Sequence, residues 1–119
     1  MDYGRALELV GKLQAAGVVA TVDPRSVTPP CVLGEMPARD YSGSFCGYRA
    51  EWRWHLLAPA TGNADAWRLL DELADQVAAV LPVARMDPTA YRPSADSPPL
   101  PAYQVTFTEP LADEVIPDA

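Results

Sequence analysis

The sequence predicts one α+β domain, a mixed and mainly antiparallel sheet with two helices packed on one face. Three observations point there. From Cys46 to Leu56 the side chains alternate, with Cys46, Tyr48, Ala50, Trp52, Trp54 and Leu56 on one face and Arg49, Glu51, Arg53 and His55 on the other. Two other stretches return apolar residues every three or four positions, the helical period. A second alternating run, AYQVTFTE, follows at Ala102 to Glu109. A length of 119 residues fits one core against one sheet and is too short for two.

Asp2 to Ala16 reads as the first helix. Asp2 caps it, Ala6, Leu9, Val10, Leu13 and Ala16 form its apolar stripe, and Gly17 supplies the left-handed stop. Val18 to Val22 is a short β-branched strand ended by Asp23-Pro24. A second strand is expected after Pro29-Pro30, because proline is tolerated at a strand start. Pro37 to Gly47 has loop composition and carries Arg39, Asp40, Tyr41 and Phe45. Two readings stay open for it: a connector whose aromatics dock on a partner, or a hairpin connection whose Tyr41 and Phe45 fold back on the core.

The long strand from Cys46 to Pro59 comes next, then a turn with Asn63 as helix cap. Ala64 to Leu81 is the second helix, with Trp67, Leu70, Leu73, Val77, Val80 and Leu81 as its core stripe. Val83 to Met86 reads as a strand broken by Asp87-Pro88. An irregular connection to Pro101 then contains a short extended piece at Thr89 to Arg92. Ala102 to Glu109 is the last strand, in the same sheet as the long one. The domain is placed at residues 1–110. The acidic segment 111–119 also holds Leu111, Val115 and Ile116, and either contacts a neighbouring subunit or packs on its own domain.

Composition removes several function classes. The net charge of −7 argues against a sequence-independent grip on nucleic acid, which needs clustered Lys and Arg. No apolar run approaches the roughly 20 residues that span a bilayer. Met1 is followed by an acidic residue rather than a basic leader, so a soluble, unprocessed chain is expected. Cys31 and Cys46 are expected as free thiols, and two distant cysteines with one histidine make a poor zinc set.

No catalytic constellation emerges. Cys46 and His55 have opposite facing parity on one strand, and GxGxxG, P-loop and HExxH patterns are absent from the sequence. Asp71 and Asp75 lie four apart, as an exposed acidic helix face places them. The expectation is a non-enzymatic protein without cofactor or metal.

The succession LQAAGVVATVDPRSVTPPCVL, an aromatic strand ending HLLAP, the helix AWRLLDELADQVAAVL and the segment LPAYQVTFTEPL resembles tail terminator proteins of long-tailed actinobacterial phages, distant relatives of the lambda-like terminators. The likeness spans Leu7 to Pro110. It implies a structural virion protein at the head-proximal end of the tail, assembled in the host cytoplasm. Such a protein forms a homo-hexameric ring, caps the tube, ends polymerisation of the tail tube protein and offers a surface to the head-tail connector protein. DNA would pass through the ring without sequence-specific binding, and no membrane or cofactor is involved.

For a ring, the candidate contact residues are Arg39, Asp40, Tyr41 and Phe45 in the loop, Arg49, Glu51 and Arg53 on the strand, and Leu111, Val115 and Ile116 in the tail. A head-tail stopper or adaptor ring is the alternative nearest in kind. A small ligand-binding regulatory module, with its pocket between sheet and helices, is the alternative of a different kind.

Overall fold

The computed structural model describes residues 2–42, 47–60 and 62–112. Helix α1 (Asp2–Ala15) leads into β1 (Ala20–Thr21), a 3-10 turn at Pro24–Ser26, β2 (Cys31–Leu33), β3 (Ala38–Asp40) and β4 (Gly47–Leu57). Helix α2 (Asn63–Ala78), β5 (Arg85–Tyr91) and β6 (Leu100–Ala112) complete the fold. The sheet order is β1-β2-β4-β6-β5, with β3 paired to β4 beside β2. Among the described residues only β1 and β2 run parallel, and the other pairings are antiparallel. The expected α+β class, with a mixed and mostly antiparallel sheet, is the architecture observed.

Helix α1 stops as its sequence dictates. Gly17 takes φ 86°, Val18 N–H donates to the Leu13 carbonyl at 2.9 Å and Gly17 N–H to Gln14 at 3.0 Å. These are the paired bonds of a Schellman cap. β4 and β6 pair along the whole of β4, from Gly47 opposite Ala112 to Leu57 opposite Ala102. Directly paired residues share a face, so Trp52 meets Phe107 and Trp54 meets Val105 beneath the helices. Trp52, Trp54 and Phe107 are fully buried, with ring centroids 5.7 to 6.1 Å apart. Leu9 and Leu13 of α1 and Leu70, Leu73 and Val77 of α2 close the same cluster. A smaller cluster of Cys31, Leu33, Leu57 and Ala102 forms on the other face, covered by Val27 and Tyr91.

Five expectations need correction. Trp67 is not a core residue and stands 70% exposed. The buried stripe of α2 runs through Ala66, Leu70, Leu73 and Val77, and one residue past Ala66 is about 100° around the helix. Asn63 does not cap α2: it is the first helical residue, preceded by Gly62 at φ 110° with no side-chain cap. Asp87-Pro88 does not break the strand, since β5 runs through it; β5 is an edge strand, where proline's missing donor is tolerated. Part of the expected Pro37–Gly47 loop is a strand, β3, antiparallel to Glu51, Ala50 and Arg49. Finally β6 continues past Glu109 to Ala112, so Leu111 belongs to the sheet opposite Tyr48 and packs on the domain's own core.

Candidate subunit and partner interface

The sheet has one covered and one largely open face. On the open side the registers align Asp40 with Arg49, Ala38 with Glu51 and Thr108, and Arg53 with Thr106 and Arg85. Arg49 and Arg53 are exposed and Glu51 is half-buried. Two of these strands also carry an ion pair between residues two apart on one face: Arg53 to Glu51 at 2.6 Å on β4, and Arg85 to Asp87 at 2.8 Å on β5. Exposed pairs of this kind add little stability. Their effect is to set both signs of charge side by side on one face of the sheet. Asp40 accepts from both the backbone N–H and hydroxyl of Ser42, at 2.9 and 2.6 Å, which holds its carboxyl below the usual range.

His55 also lies on this side, half-buried between neighbours. Its Nδ1 contacts the Glu35 carboxylate, and its ring lies 5.3 Å from that of Tyr91. The imidazole is thus held between a carboxylate and a phenol ring. Among the described residues there is no group of three or more His, Cys, Asp and Glu that could hold a metal ion. No buried side-chain nitrogen or oxygen among them lacks a hydrogen-bond partner. Cys31 is buried, and burial pushes its thiol pKa up.

The helix side holds a polar seam at the start of α1. Arg39, paired with Ala50, turns its guanidinium onto the Tyr48 ring at 4.5 Å and bonds the Asp2 carboxylate at 2.7 Å. It also donates to the Tyr41 hydroxyl at 3.0 Å, and these bonds raise its pKa above the ordinary arginine value. Tyr48 donates its hydroxyl to Asp2. Burial, followed by the Asp2 carboxylate, pushes Tyr48 up to about 12. Tyr41 leans on Tyr48 with centroids 5.3 Å apart while remaining 54% exposed.

Beside this seam opens a groove of about 600 Å³. Its walls come from Tyr3 and Ala6 of α1, Val22 and Pro24 after β1, and Met36 and Pro37 before β3, with the buried Trp52 beneath and the charged groups Asp2, Glu35 and Arg39 around it. Tyr3 is 68% and Met36 88% exposed, and both line this one groove. The sequence carries only a weak signal of it: Tyr3, seven before Val10 and three before Ala6, stands at the edge of the helical stripe, and Met36 sits in a segment with no alternation. What it could not show is that the two meet in space.

The sequence-selected residues therefore divide. Asp40, Arg49, Glu51 and Arg53 share the open sheet face. Arg39 and Tyr41 serve the seam between α1 and the sheet, and β3 pairs antiparallel with β4 while Tyr41 stays largely exposed. Leu111 is part of β6. Phe45, Val115 and Ile116 lie outside the described residues, as does Cys46. Among the described residues, no helix is long and apolar enough to cross a membrane. Compared with known proteins, the chain matches no family model, no curated protein and no solved structure.

Proposed function

We propose that this chain is a structural virion protein that caps a phage tail tube as a homo-hexameric ring. In this reading it ends polymerisation of the tail tube protein and presents the tail-side surface to the head-tail connector. The observation that carries most weight is the open sheet face, where Asp40, Arg49, Glu51, Arg53, Arg85 and Asp87 set both signs of charge on rigid strands. Such a pattern suits registration against another protein, because complementary charge fixes orientation more than it adds affinity. The net charge of −7 suits a passage through which DNA slides without being held. Closure into a ring needs two different patches per subunit, meeting head to tail.

The test is the mass of the purified protein across a concentration series, with and without assembled tail tubes. A hexamer, or a monomer that forms rings only on tube ends, supports the reading. Binding to the portal complex in place of the tube moves the protein to a stopper or adaptor role. The groove beside α1 favours one reading of another class, a small ligand-binding module. A monomer indifferent to tubes and stabilised by a small molecule would establish that module instead.

A further inference from the structure

We infer that the Trp67 flank of α2, with the uncovered helix side of β5 beside it, docks a basic and apolar segment of a different protein. The inference goes beyond the ring reading and does not depend on it, because this flank and the charged sheet face lie on opposite sides of the sheet. Helical geometry divides the exposed residues of α2. Its buried stripe is Ala66, Leu70, Leu73 and Val77, and each further residue turns by about 100°. Leu69, Glu72 and Gln76 fall on one flank, where they line a small hollow with Gly17, Val19 and Pro30 on the β1 and β2 side of the sheet. Trp67, Asp71 and Ala78 fall on the opposite flank, toward β5. The helix packs on β4 and β6. On β5, Met86 pairs with the buried Val105 and Pro88 with Tyr103, which puts Met86, Pro88 and Ala90 on the helix side of that strand. Pro88 and Ala90 are exposed and Met86 is half-buried, an apolar strip that no helix covers among the described residues.

Charge selects the occupant. Trp67 is 70% exposed, a large aromatic surface of the kind that anchors interfaces. Asp71 and Asp75 follow it at successive fourth positions, each about 40° further round the helix, so both carboxylates stand beside the indole. Among the described residues neither has an ion-pair partner. Arg68, the one base on this helix, lies instead toward Asp65 and Glu72, at 4.0 and 3.7 Å. An exposed indole beside two free carboxylates attracts a guanidinium or ammonium group, and the strip along β5 takes the apolar residues next to it. A second copy of the chain is poorly supplied for this contact. Its net charge is −7, and Arg5, Arg25, Arg39, Arg53, Arg68 and Arg85 are already held by carboxylates. A different chain with unpaired Lys or Arg is the complementary partner.

The test uses the full-length chain and its own fluorescence. Trp52 and Trp54 are fully buried, so external quenchers reach Trp67. Caesium should quench it more strongly than iodide, and D71N/D75N should remove that preference. The binding probe is a short synthetic peptide that alternates leucine with arginine, titrated at physiological salt. Two control peptides replace arginine by glutamate or leucine by serine. The leucine-arginine peptide should bind saturably, shift the Trp67 emission to the blue and shield it from acrylamide. Trp67→Ala should weaken that binding about tenfold, measured by calorimetry. D71N/D75N should weaken it by a similar factor and flatten its salt dependence. No saturable binding, binding unchanged in Trp67→Ala, or equal binding of the serine control overturns the inference, the last because it would mean diffuse attraction to an acidic protein. Self-association of the unliganded protein that Trp67→Ala abolishes, seen by light scattering, would assign the flank to a second copy and overturn it as well. The substituted side chains are all exposed, and circular dichroism of each variant confirms that a lost contact is not a lost fold.

Discussion

Glu109 accepts the indole N–H of Trp52 at 3.0 Å while both its carboxylate oxygens lie 3.1 Å from Arg5 Nε. One acid thus joins β6, the buried centre of β4 and helix α1. The side chains of Arg5 and Glu109 are 28% and 16% exposed, so the pair is better shielded than the ion pairs of the open face. The bond to Glu109 raises the Arg5 pKa, outweighing the opposing effect of its partial burial. Glu109→Ala leaves the indole N–H without its acceptor and the half-buried guanidinium with Glu8 alone. It should destabilise the protein by about 2–3 kcal/mol. Urea unfolding followed by tryptophan fluorescence measures this, and a change below about 0.5 kcal/mol would mean that solvent replaces the carboxylate.

The Tyr48 hydroxyl sets an alkaline limit. Its folded pKa is raised from 10.0 to about 12, so the folded protein holds that proton more tightly than the unfolded chain. Stability from this group is complete below pH 10 and is lost as pH rises toward 12. Tyr48→Phe should flatten that part of the stability curve while losing the bond to Asp2 at neutral pH. Chemical denaturation at stepped alkaline pH, with phenolate absorbance alongside, reads both effects. An unchanged alkaline slope would show that Tyr48 titrates as an ordinary tyrosine.

Gly34 ends β2 against the Trp54 indole. A Cβ there would meet Trp54 Cζ2 and Val22 Cγ1 at 3.2 Å each. Trp54 is fully buried, and its indole N–H donates to the Glu35 carbonyl at 3.1 Å, so the ring has little room to yield. Gly34→Ala should cost about 1–2 kcal/mol through overpacking, read as a lower melting temperature. An equal melting temperature would show that Val22 gives way freely.

The open face predicts the opposite result. Arg49 and Arg53 are exposed, and the Arg53 pair with Glu51 lies on the surface. Charge reversal of both arginines should alter stability by no more than about 0.5 kcal/mol. Ring formation or tube binding should nevertheless weaken, with a stronger dependence on salt in the wild type than in the variant. Assembly and salt dependence both unchanged would remove this face from the interface.

Truncation separates fold from assembly. Removing residues 113–119 spares every paired residue of β6, whereas removing Leu111 as well deletes a side chain packed on the core. The chain ending at Ala112 should unfold as wild type does and lose its rings. The chain ending at Pro110 should show a reduced midpoint in urea. Equal stability of the two truncations would make Leu111 a surface residue in energetic terms.

Much of this architecture was legible in the sequence because it is written in local periods. The alternation from Cys46 to Leu56 named the buried face of β4, and the stop at Gly17 named the end of α1, since each depends on the backbone of its own segment. The open charged face followed from the same alternation. Trp67 escaped that logic: helical spacing admits it to either edge of the α2 stripe, and only the position of the sheet beneath Ala66 and Leu70 excludes it. Asp87-Pro88 is a turn signal in isolation, and becomes a strand interior only because β6 offers an edge to pair with. The groove was equally hidden, since Tyr3, Val22 and Met36 share no period and meet only when α1 settles across β4. Short-range stereochemistry decided which elements form and which way their side chains point. Long-range packing decided which apolar residues remain uncovered, because that depends on which elements meet in space.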